Sequence, residues 1–268
     1  MAARPPARPP AGQLGPALRF RALPPPATAR PSRCRLDFAP RSWEQSAARR
    51  PITPPNAGCP MLRSVFVKSS DLQTVKGLAH EDVVCVLPYL RHDLAVRLEE
   101  VLRVRAGQSG LLVLVEDTAR LGFMRVANLV YRWTTSACFA YLAEDAFPGE
   151  QWLGSAVATL REAQAGLLPF NDGRFCGTLA VFGLVSRAWL GTVYPRFLFH
   201  PGYRSHFGDT ELTVIAAERG KLIFNPASLL VEVDYEKHRK GYDQADAALY
   251  KARATTGFDG LVAPFAAP

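Results

Sequence analysis

Two short apolar segments of this sequence each lead into the same acidic dipeptide. Leu111–Val115 ends in Glu116-Asp117 and Cys138–Leu142 leads to Glu144-Asp145, so that the two aspartates stand 28 residues apart. Apolar residues at helical spacing over 122–133 predict one helix between two strands. A crossover of that length joins parallel strands, whose carboxyl ends lie at one edge of a sheet. Because ligands of open α/β sheets bind at that edge, both acidic pairs are predicted to border one binding site.

The remainder of residues 61–268 continues the alternation of strands and helices. A strand at Asp82–Leu87 and a helix over 91–105 precede the first acidic pair, and a helix over 151–163 follows the second. The segment Asn171-Asp172-Gly173 lies between apolar runs and predicts a tight hairpin turn. The other predicted elements are the strands Leu167–Phe170, Thr178–Ser186, Leu222–Phe224 and Leu229–Val233 and the helices Asp209–Arg219 and 243–253. The pattern therefore predicts one α/β domain.

Residues 1–60 have a different composition from the rest of the chain. They contain 14 of the 22 prolines and ten basic residues, against only Asp37 and Glu44 as acids. Proline runs block helix and sheet hydrogen bonds, so this extension is predicted to be disordered. One interpretation is that the start codon is misassigned and the native chain begins at Met61. A genuine flexible tail and a targeting peptide are the alternatives.

The charge of the domain argues against a nucleic-acid partner. Residues 61–268 hold 22 basic and 22 acidic side chains, so the positive charge of the chain belongs to the extension. No apolar run approaches the roughly 18 residues of a membrane span, and a soluble, cytoplasmic protein is expected. The five cysteines contain no CxxC pair, and the GxSxG, GxxxxGK[ST], GxGxxG and HExxH motifs are absent. These absences disfavour zinc, hydrolase, kinase and dehydrogenase chemistry.

Three segments carry a more specific pattern. Leu112–Asn128 combines an apolar strand, an acidic end and a helix. Tyr141-Leu-Ala-Glu-Asp145 places acids after a strand, with Pro148 and Trp152 behind them. Phe207-Gly-Asp-Thr-Glu-Leu212 opens a helix that runs on to Gly220. In this order the segments resemble the second strand, the metal motif and the Gly-Glu-Asp element of family 2 glycosyltransferases, over about residues 82–235.

The resemblance implies a fold, a reaction and roles for named residues. It implies the three-layer α/β/α GT-A fold with a mostly parallel sheet, and transfer of a sugar from a nucleotide-diphosphate sugar with inversion. Asp209 would be the catalytic base, and Asp145 would hold Mg²⁺ or Mn²⁺ on the diphosphate. Asp117 would contact the nucleoside, and the loop from Pro88 to Arg91 would line the nucleotide pocket. Glu144 and Asn128 belong to the same motifs and are predicted to lie at the donor.

Five further residues are candidates for the neighbourhood of the site. Trp152 is expected either to stack on an acceptor sugar or to belong to the core. His206 is expected either to line the site or only to stabilise its own loop. Asp172 is a turn residue or an acceptor contact, and Glu211 is favourable at a helix start beside the predicted base. His238 is a metal ligand or a surface residue.

Two departures from the family pattern leave alternatives open. Ala143 stands where the family has a further acid in the metal motif, and Gly208 replaces the glutamate of the Gly-Glu-Asp element. A nucleotidyltransferase, or a degenerate transferase fold kept as a binding or structural module, is therefore an alternative to the glycosyltransferase. The glycosyltransferase hypothesis requires Asp117, Asp145 and Asp209 to converge on one cleft, within roughly 10–12 Å.

Overall fold

A computed structural model describes residues 61–233 and 241–267 of the chain. The predicted disordered extension, as well as His238, lies outside these residues. The strands are β1 Leu62–Lys68, β2 Val83–Tyr89, β3 Gly110–Glu116, β4 Cys138–Tyr141, β5 Ala146–Pro148, β6 Leu167–Pro169, β7 Gly183–Ser186 and β8 Leu230–Glu232. The helices are α1 His92–Val104, α2 Phe123–Trp133, α3 Trp152–Glu162, α4 Arg187–Leu190, α5 Gly208–Glu218, α6 Gln244–Ala254 and the short α7 Gly257–Gly260.

Six of these strands form one sheet in the order β1-β3-β2-β4-β7-β6. The first four are parallel, whereas β7 runs antiparallel to both of its neighbours. The predicted mostly parallel sheet is therefore confirmed. Strand β2 lies between β3 and β4, so the two acidic segments follow strands that share one neighbour. A separate two-stranded ladder pairs β5 with β8.

The sheet is buried on both faces, which explains why its central strands are apolar without alternation. Along β3, Leu111, Val113 and Val115 belong to the cluster that includes α2, α5 and α6. Leu112 and Leu114 belong to the opposite cluster, with α1 and α3. Helices thus cover both faces, and the predicted three-layer α/β/α class is confirmed.

The structure adds the short elements β5, α4 and α7, which were not predicted, and corrects the predicted elements in three further places. Strand β1 was not predicted, because its partly exposed edge position leaves no continuous apolar run. Strands β6 and β7 do pair, but residues 170–182 connect them, so the Asp-Gly dipeptide does not form a two-residue hairpin turn. The predicted strand at Leu222–Phe224 is reduced to a single bridge from Leu222 to Leu167. Among the described residues, every helix is too short or too polar to cross a membrane.

Candidate functional site

A pocket of about 790 Å³ lies where β2, β3 and β4 end. The chain segments that follow the three strands form one wall, and the segment before α5 forms another. The residues that line it are Pro88, Tyr89, Leu90, Arg91, Asp117, Gly122, Phe123, Ala143, Glu144, Asp145, Ser205, His206, Gly241 and Tyr242. Five predicted site residues therefore border one pocket, namely Pro88, Asp117, Glu144, Asp145 and His206.

Asp117 organises the loop that leads from β3 into α2. Its Oδ1 accepts a hydrogen bond from the Leu121 N–H, and its Oδ2 accepts one from the Gly122 N–H, both at 2.9 Å. Gly122 has a φ of 93°, which glycine adopts at little cost. A Cβ there would come within 2.6 Å of the Arg204 carbonyl oxygen, so glycine is also needed for the close approach of the two loops. Asp117 is 7% exposed and contributes mainly by shaping the pocket wall.

Glu144 connects the segments that follow β2 and β4. Its Oε2 accepts hydrogen bonds from the N–H groups of Leu90 at 2.9 Å and Arg91 at 3.0 Å. The Arg91 Nε lies 3.4 Å from Oε1 of the same carboxylate. The Arg91 side chain is 56% exposed and borders the pocket, where it is available to an anionic ligand.

Asp145 is the acid that the structure places deepest at this edge. It is 4% exposed, lines the pocket, and its carbonyl oxygen accepts the Val233 N–H at 3.0 Å. Residues 61–233 and 241–267 contain no group of three or more potential metal-ligating side chains. Asp117 and Glu144 already bind backbone N–H groups. A divalent cation at this edge would therefore fit one protein carboxylate, with phosphate oxygens and water as its other ligands, as Mg²⁺ often binds.

The segment before α5 is fixed by an acid that the sequence analysis did not single out. Asp246, in the first turn of α6, is 3% exposed and accepts the N–H groups of Arg204, Ser205 and His206 at 2.8–2.9 Å. The His206 Nδ1 accepts the Asp243 N–H at 3.3 Å. Asp246 thus positions Ser205 and His206 at the pocket. No local sequence signal connects it to a loop forty residues earlier.

Three predicted site residues are placed elsewhere. The Asn128 amide accepts the N–H groups of Leu198 and Phe199 and donates to the Phe199 carbonyl oxygen, so it fixes a buried chain segment rather than lining the pocket. Trp152 is fully buried, and its Nε1 donates to the Leu102 carbonyl oxygen. Glu211 is also fully buried, where it binds Arg253. These side chains are core components, because each one completes the hydrogen bonding of buried partners.

Asp172 and Asp209 lie outside the residues that line the pocket. Asp172 is 2% exposed, and its Oδ1 accepts the N–H groups of residues 174, 175 and 176, which folds the loop between β6 and β7. Asp209 lies in the first turn of α5, three residues after His206, and is half-buried. Burial first, and then the nearby Asp209 carboxylate, raise the pKa of Tyr141. Hydrogen bonds also connect the start of α5 to Tyr141 in β4: the Thr213 hydroxyl donates to the Asp209 carbonyl oxygen and accepts the Ala180 N–H, and the Ala180 carbonyl oxygen accepts the Tyr141 hydroxyl. Of the three acids expected to share one cleft, Asp117 and Asp145 line the pocket and Asp209 does not.

Comparison with known proteins gives similarity only at the level of structure. No protein-family model matches the sequence, and no curated protein matches it. A mutant of Drosophila β-1,4-galactosyltransferase 7, in complex with manganese, UDP-Gal and xylobiose, aligns with a TM-score of 0.41 and 13% identity over 62% of this chain and 79% of that chain. Residues 1–349 of S. aureus TarS align with a TM-score of 0.38 and 10% identity over 56% of this chain and 59% of that chain.

The TM-scores and identities are too low to transfer a substrate, a metal or a mechanism to this chain. The function is therefore derived from the residues of the pocket.

Proposed function

We propose that this chain is a glycosyltransferase that binds a nucleotide-diphosphate sugar in the pocket at the carboxyl ends of β2, β3 and β4. The observation that carries the proposal is the gathering of Pro88, Asp117, Glu144 and Asp145 at one edge of the parallel sheet. That edge is the usual ligand site of open α/β sheets. The volume of about 790 Å³ lies within the range of small-molecule sites.

The lining residues supply different parts of a donor site. Pro88 and Tyr89 are buried parts of the pocket wall, next to the loop that Asp117 holds, and would border the nucleoside. Arg91 offers an exposed guanidinium for phosphate oxygens, since arginine recognises such oxygens through paired N–H groups. Its pairing with Glu144 positions that guanidinium at the rim. Asp145 would hold a divalent cation together with the diphosphate, and the cation would offset charge on the departing nucleoside diphosphate.

Asp209 is the residue we assign as the base. An aspartate that takes a proton from an acceptor hydroxyl must lie within hydrogen-bond reach of it once the acceptor is bound. Asp209 is half-buried at the start of α5, directly after the segment that carries Ser205 and His206 into the pocket. Removal of the hydroxyl proton allows the acceptor oxygen to attack the anomeric carbon from the face opposite the diphosphate, which inverts the configuration.

One observation favours a second candidate function, a binding module without transfer activity. Two of the acids at the pocket, Asp117 and Glu144, hold backbone N–H groups and so have structural tasks. Such a module would bind the nucleotide but would neither transfer nor hydrolyse the sugar. A nucleotidyltransferase is less well supported, because the segment after β2 lacks a glycine-rich phosphate loop.

Calorimetric titration of the full chain with UDP, GDP and a panel of their sugars, with Mn²⁺, with Mg²⁺ and with EDTA, tests the proposal. We expect one nucleotide sugar to bind and the metal to increase its affinity. Asp145→Asn should lower the metal-dependent affinity at least tenfold, whereas Asp93→Asn on the exposed surface of α1 should not. Absence of binding across the panel would refute the donor site. Metal-independent binding with no release of sugar would favour the binding module.

A further inference from the structure

A second pocket, of about 580 Å³, lies at the opposite edge of the sheet. Strand β4 begins at Cys138, which pairs with Ser186 at the end of the antiparallel β7, and both residues line this pocket. The end of α3 and the start of α4 form its walls. The other lining residues are Ser136, Ala137, Leu160, Arg161, Gln164, Ala165, Arg187, Ala188 and Trp189. No residue of this set lines the pocket at the carboxyl ends of the strands.

The charged residues that line this second pocket are both arginines. Arg161 forms an ion pair with Asp82 at 2.7 Å, whereas Arg187 has no carboxylate partner among residues 61–233 and 241–267. The Lys221 ammonium group donates to the Gln164 carbonyl oxygen at the rim and adds a further positive charge. The local charge is therefore positive and suits an anion.

Arg187 is held in one orientation by neutral groups. Its Nε donates to the Ser136 Oγ, its Nη1 to the Tyr131 carbonyl oxygen and its Nη2 to the Thr134 Oγ1, at 2.7–3.1 Å. The guanidinium carbon lies 4.0 Å from the centre of the Tyr131 ring. These three bonds use three of the five N–H groups of the guanidinium, and the Tyr131 side chain, which is also neutral, contacts the same group. Burial lowers the pKa of Arg187, because the charged guanidinium loses hydration that its neutral partners do not fully replace. A bound anion would stabilise this charge.

An aromatic wall accompanies this positive charge. The Trp189 ring packs directly on the backbone of residue 166, where a Cβ would come within 2.1 Å of the ring. Gly166 therefore allows the indole to lie flat against the end of the sheet while it lines the pocket. Leu160, Ala165 and Ala188 add apolar surface. A flat ring with an acidic substituent matches this combination of an indole face and a fixed guanidinium.

We propose that this pocket is a second small-molecule site, separate from the donor pocket, that binds an aromatic organic anion. The carboxylate or phosphate group of the ligand contacts Arg187, and its ring stacks on Trp189. Arg161 and Lys221 add long-range attraction without a direct role in orientation. Nothing in this site depends on the glycosyltransferase activity proposed above.

Ligand-observed NMR and calorimetry on the full chain test the site, with 2-naphthoate and phenyl phosphate as probes and 2-naphthamide as the neutral control. At least one of the anions should bind at least tenfold more tightly than 2-naphthamide, and the tighter of the two identifies the anionic group. Saturating UDP should leave this affinity unchanged. Displacement by UDP, or equal binding of the neutral probe, would overturn the proposal.

Variants locate the binding within the pocket. Arg187→Gln should lower the affinity at least tenfold, whereas Arg132→Gln, which removes an arginine that packs on Phe197 outside the pocket, should not change it. Because Arg187 also fixes its own neighbours, Ala188→Trp provides an independent test that fills the pocket from an exposed position. Retention of full affinity in the folded Ala188→Trp protein would show that the anion binds elsewhere and refute the site.

Discussion

The Glu211 carboxylate and the Arg253 guanidinium form a two-point ion pair inside the protein, although the residues are 42 positions apart in the chain. Nε donates to Oε2 at 2.9 Å and Nη2 donates to Oε1 at 2.8 Å. The hydroxyl groups of Tyr194 and Tyr203 donate to the same carboxylate. Burial first, and then Glu211, raise the pKa of both tyrosines, which keeps them protonated as donors. The pair joins α5 to α6. Helix α5 begins just after the segment 204–206, and Asp246 of α6 binds the N–H groups of that segment.

Removal of Glu211 should therefore destabilise the fold. Glu211→Ala leaves the Nε and one Nη2 N–H of the buried Arg253, as well as two buried hydroxyl groups, without their acceptor, while Nη1 keeps Asp259. We expect a loss of about 3–5 kcal/mol of unfolding free energy. Urea denaturation measures it. Glu218→Ala, at an exposed position of the same helix, is the control and should change stability by less than about 0.5 kcal/mol. Equal effects of the two substitutions would contradict the assigned role of the ion pair.

Asn128 should act on stability and not on donor affinity. Asn128→Ala leaves two buried N–H groups and one buried carbonyl oxygen unpaired, each of which costs about 1–3 kcal/mol. We expect a lower urea midpoint and, in protein that remains folded, unchanged nucleotide affinity. A loss of nucleotide affinity at unchanged stability would contradict this and would show that Asn128 contributes to the donor site. Asn225→Ala, which removes a partly exposed amide, is the comparison variant.

The contrast between Asn128 and Asp117 shows what the sequence could predict. The periodicity of a strand or helix is local, so the order of the strands and helices could be predicted from the sequence. That order implies parallel strands, which place Pro88, Asp117 and Asp145 at one edge of the sheet. Asn128 stands at a motif position that resembles the family pattern. Its partners are about 70 residues away, and no local pattern indicates them.

The same distinction explains the other differences between the predicted and the observed site. Glu211 is favourable at a helix start, and this local preference gave no sign of Arg253 as its partner. From the local sequence Asp246 is an ordinary acid in the first turn of a helix. In the structure it binds three N–H groups of a loop that precedes it by about forty residues. Strand β1 was missed because an edge strand needs no continuous apolar run. Tertiary contacts decided each of these cases.

His200 should make the stability of the protein depend on pH. Burial, and then the nearby Arg253, lower its pKa below the ordinary 6.5, while Glu211 and Asp259 act in the opposite direction. The unfolded chain therefore binds a proton more readily than the folded protein. The contribution of His200 to stability is fully present above pH 6.5 and is lost as pH falls through the lower pKa of the folded state.

The substitution His200→Asn tests this dependence. The His200 Nδ1 accepts the Gly202 N–H at 3.2 Å, and an asparagine oxygen can accept the same group without titrating. Urea denaturation of the variant should show a smaller loss of stability between pH 7 and pH 5 than the parent protein. Parallel pH curves for the two proteins would show that the protonation of His200 is not linked to folding.

Asp246 should couple the stability of the segment 204–206 to ligand binding. Asp246→Ala removes the acceptor of three N–H groups, two of them on the pocket-lining Ser205 and His206, and we expect a loss of about 3 kcal/mol and a weaker affinity for the nucleotide sugar. Asp243→Ala is the matched control. It removes only the N-cap of the same helix, at a cost of about 1 kcal/mol, and should leave the affinity unchanged. If both variants bind the donor as the parent protein does, the segment does not contribute to the pocket.

Asp209→Asn separates binding from transfer. Asparagine has the size of aspartate and can keep the hydrogen bond from the Thr210 N–H, but it cannot take a proton from an acceptor. Donor affinity should therefore persist, whereas sugar transfer should fall by about 10²–10⁴-fold, the usual contribution of a general base. Glu218→Gln near the other end of α5 controls for the loss of a negative charge from the helix. Because Asp209 lies near the pocket without lining it, transfer at the parental rate would mean that the bound acceptor does not reach Asp209 and that the base is another residue.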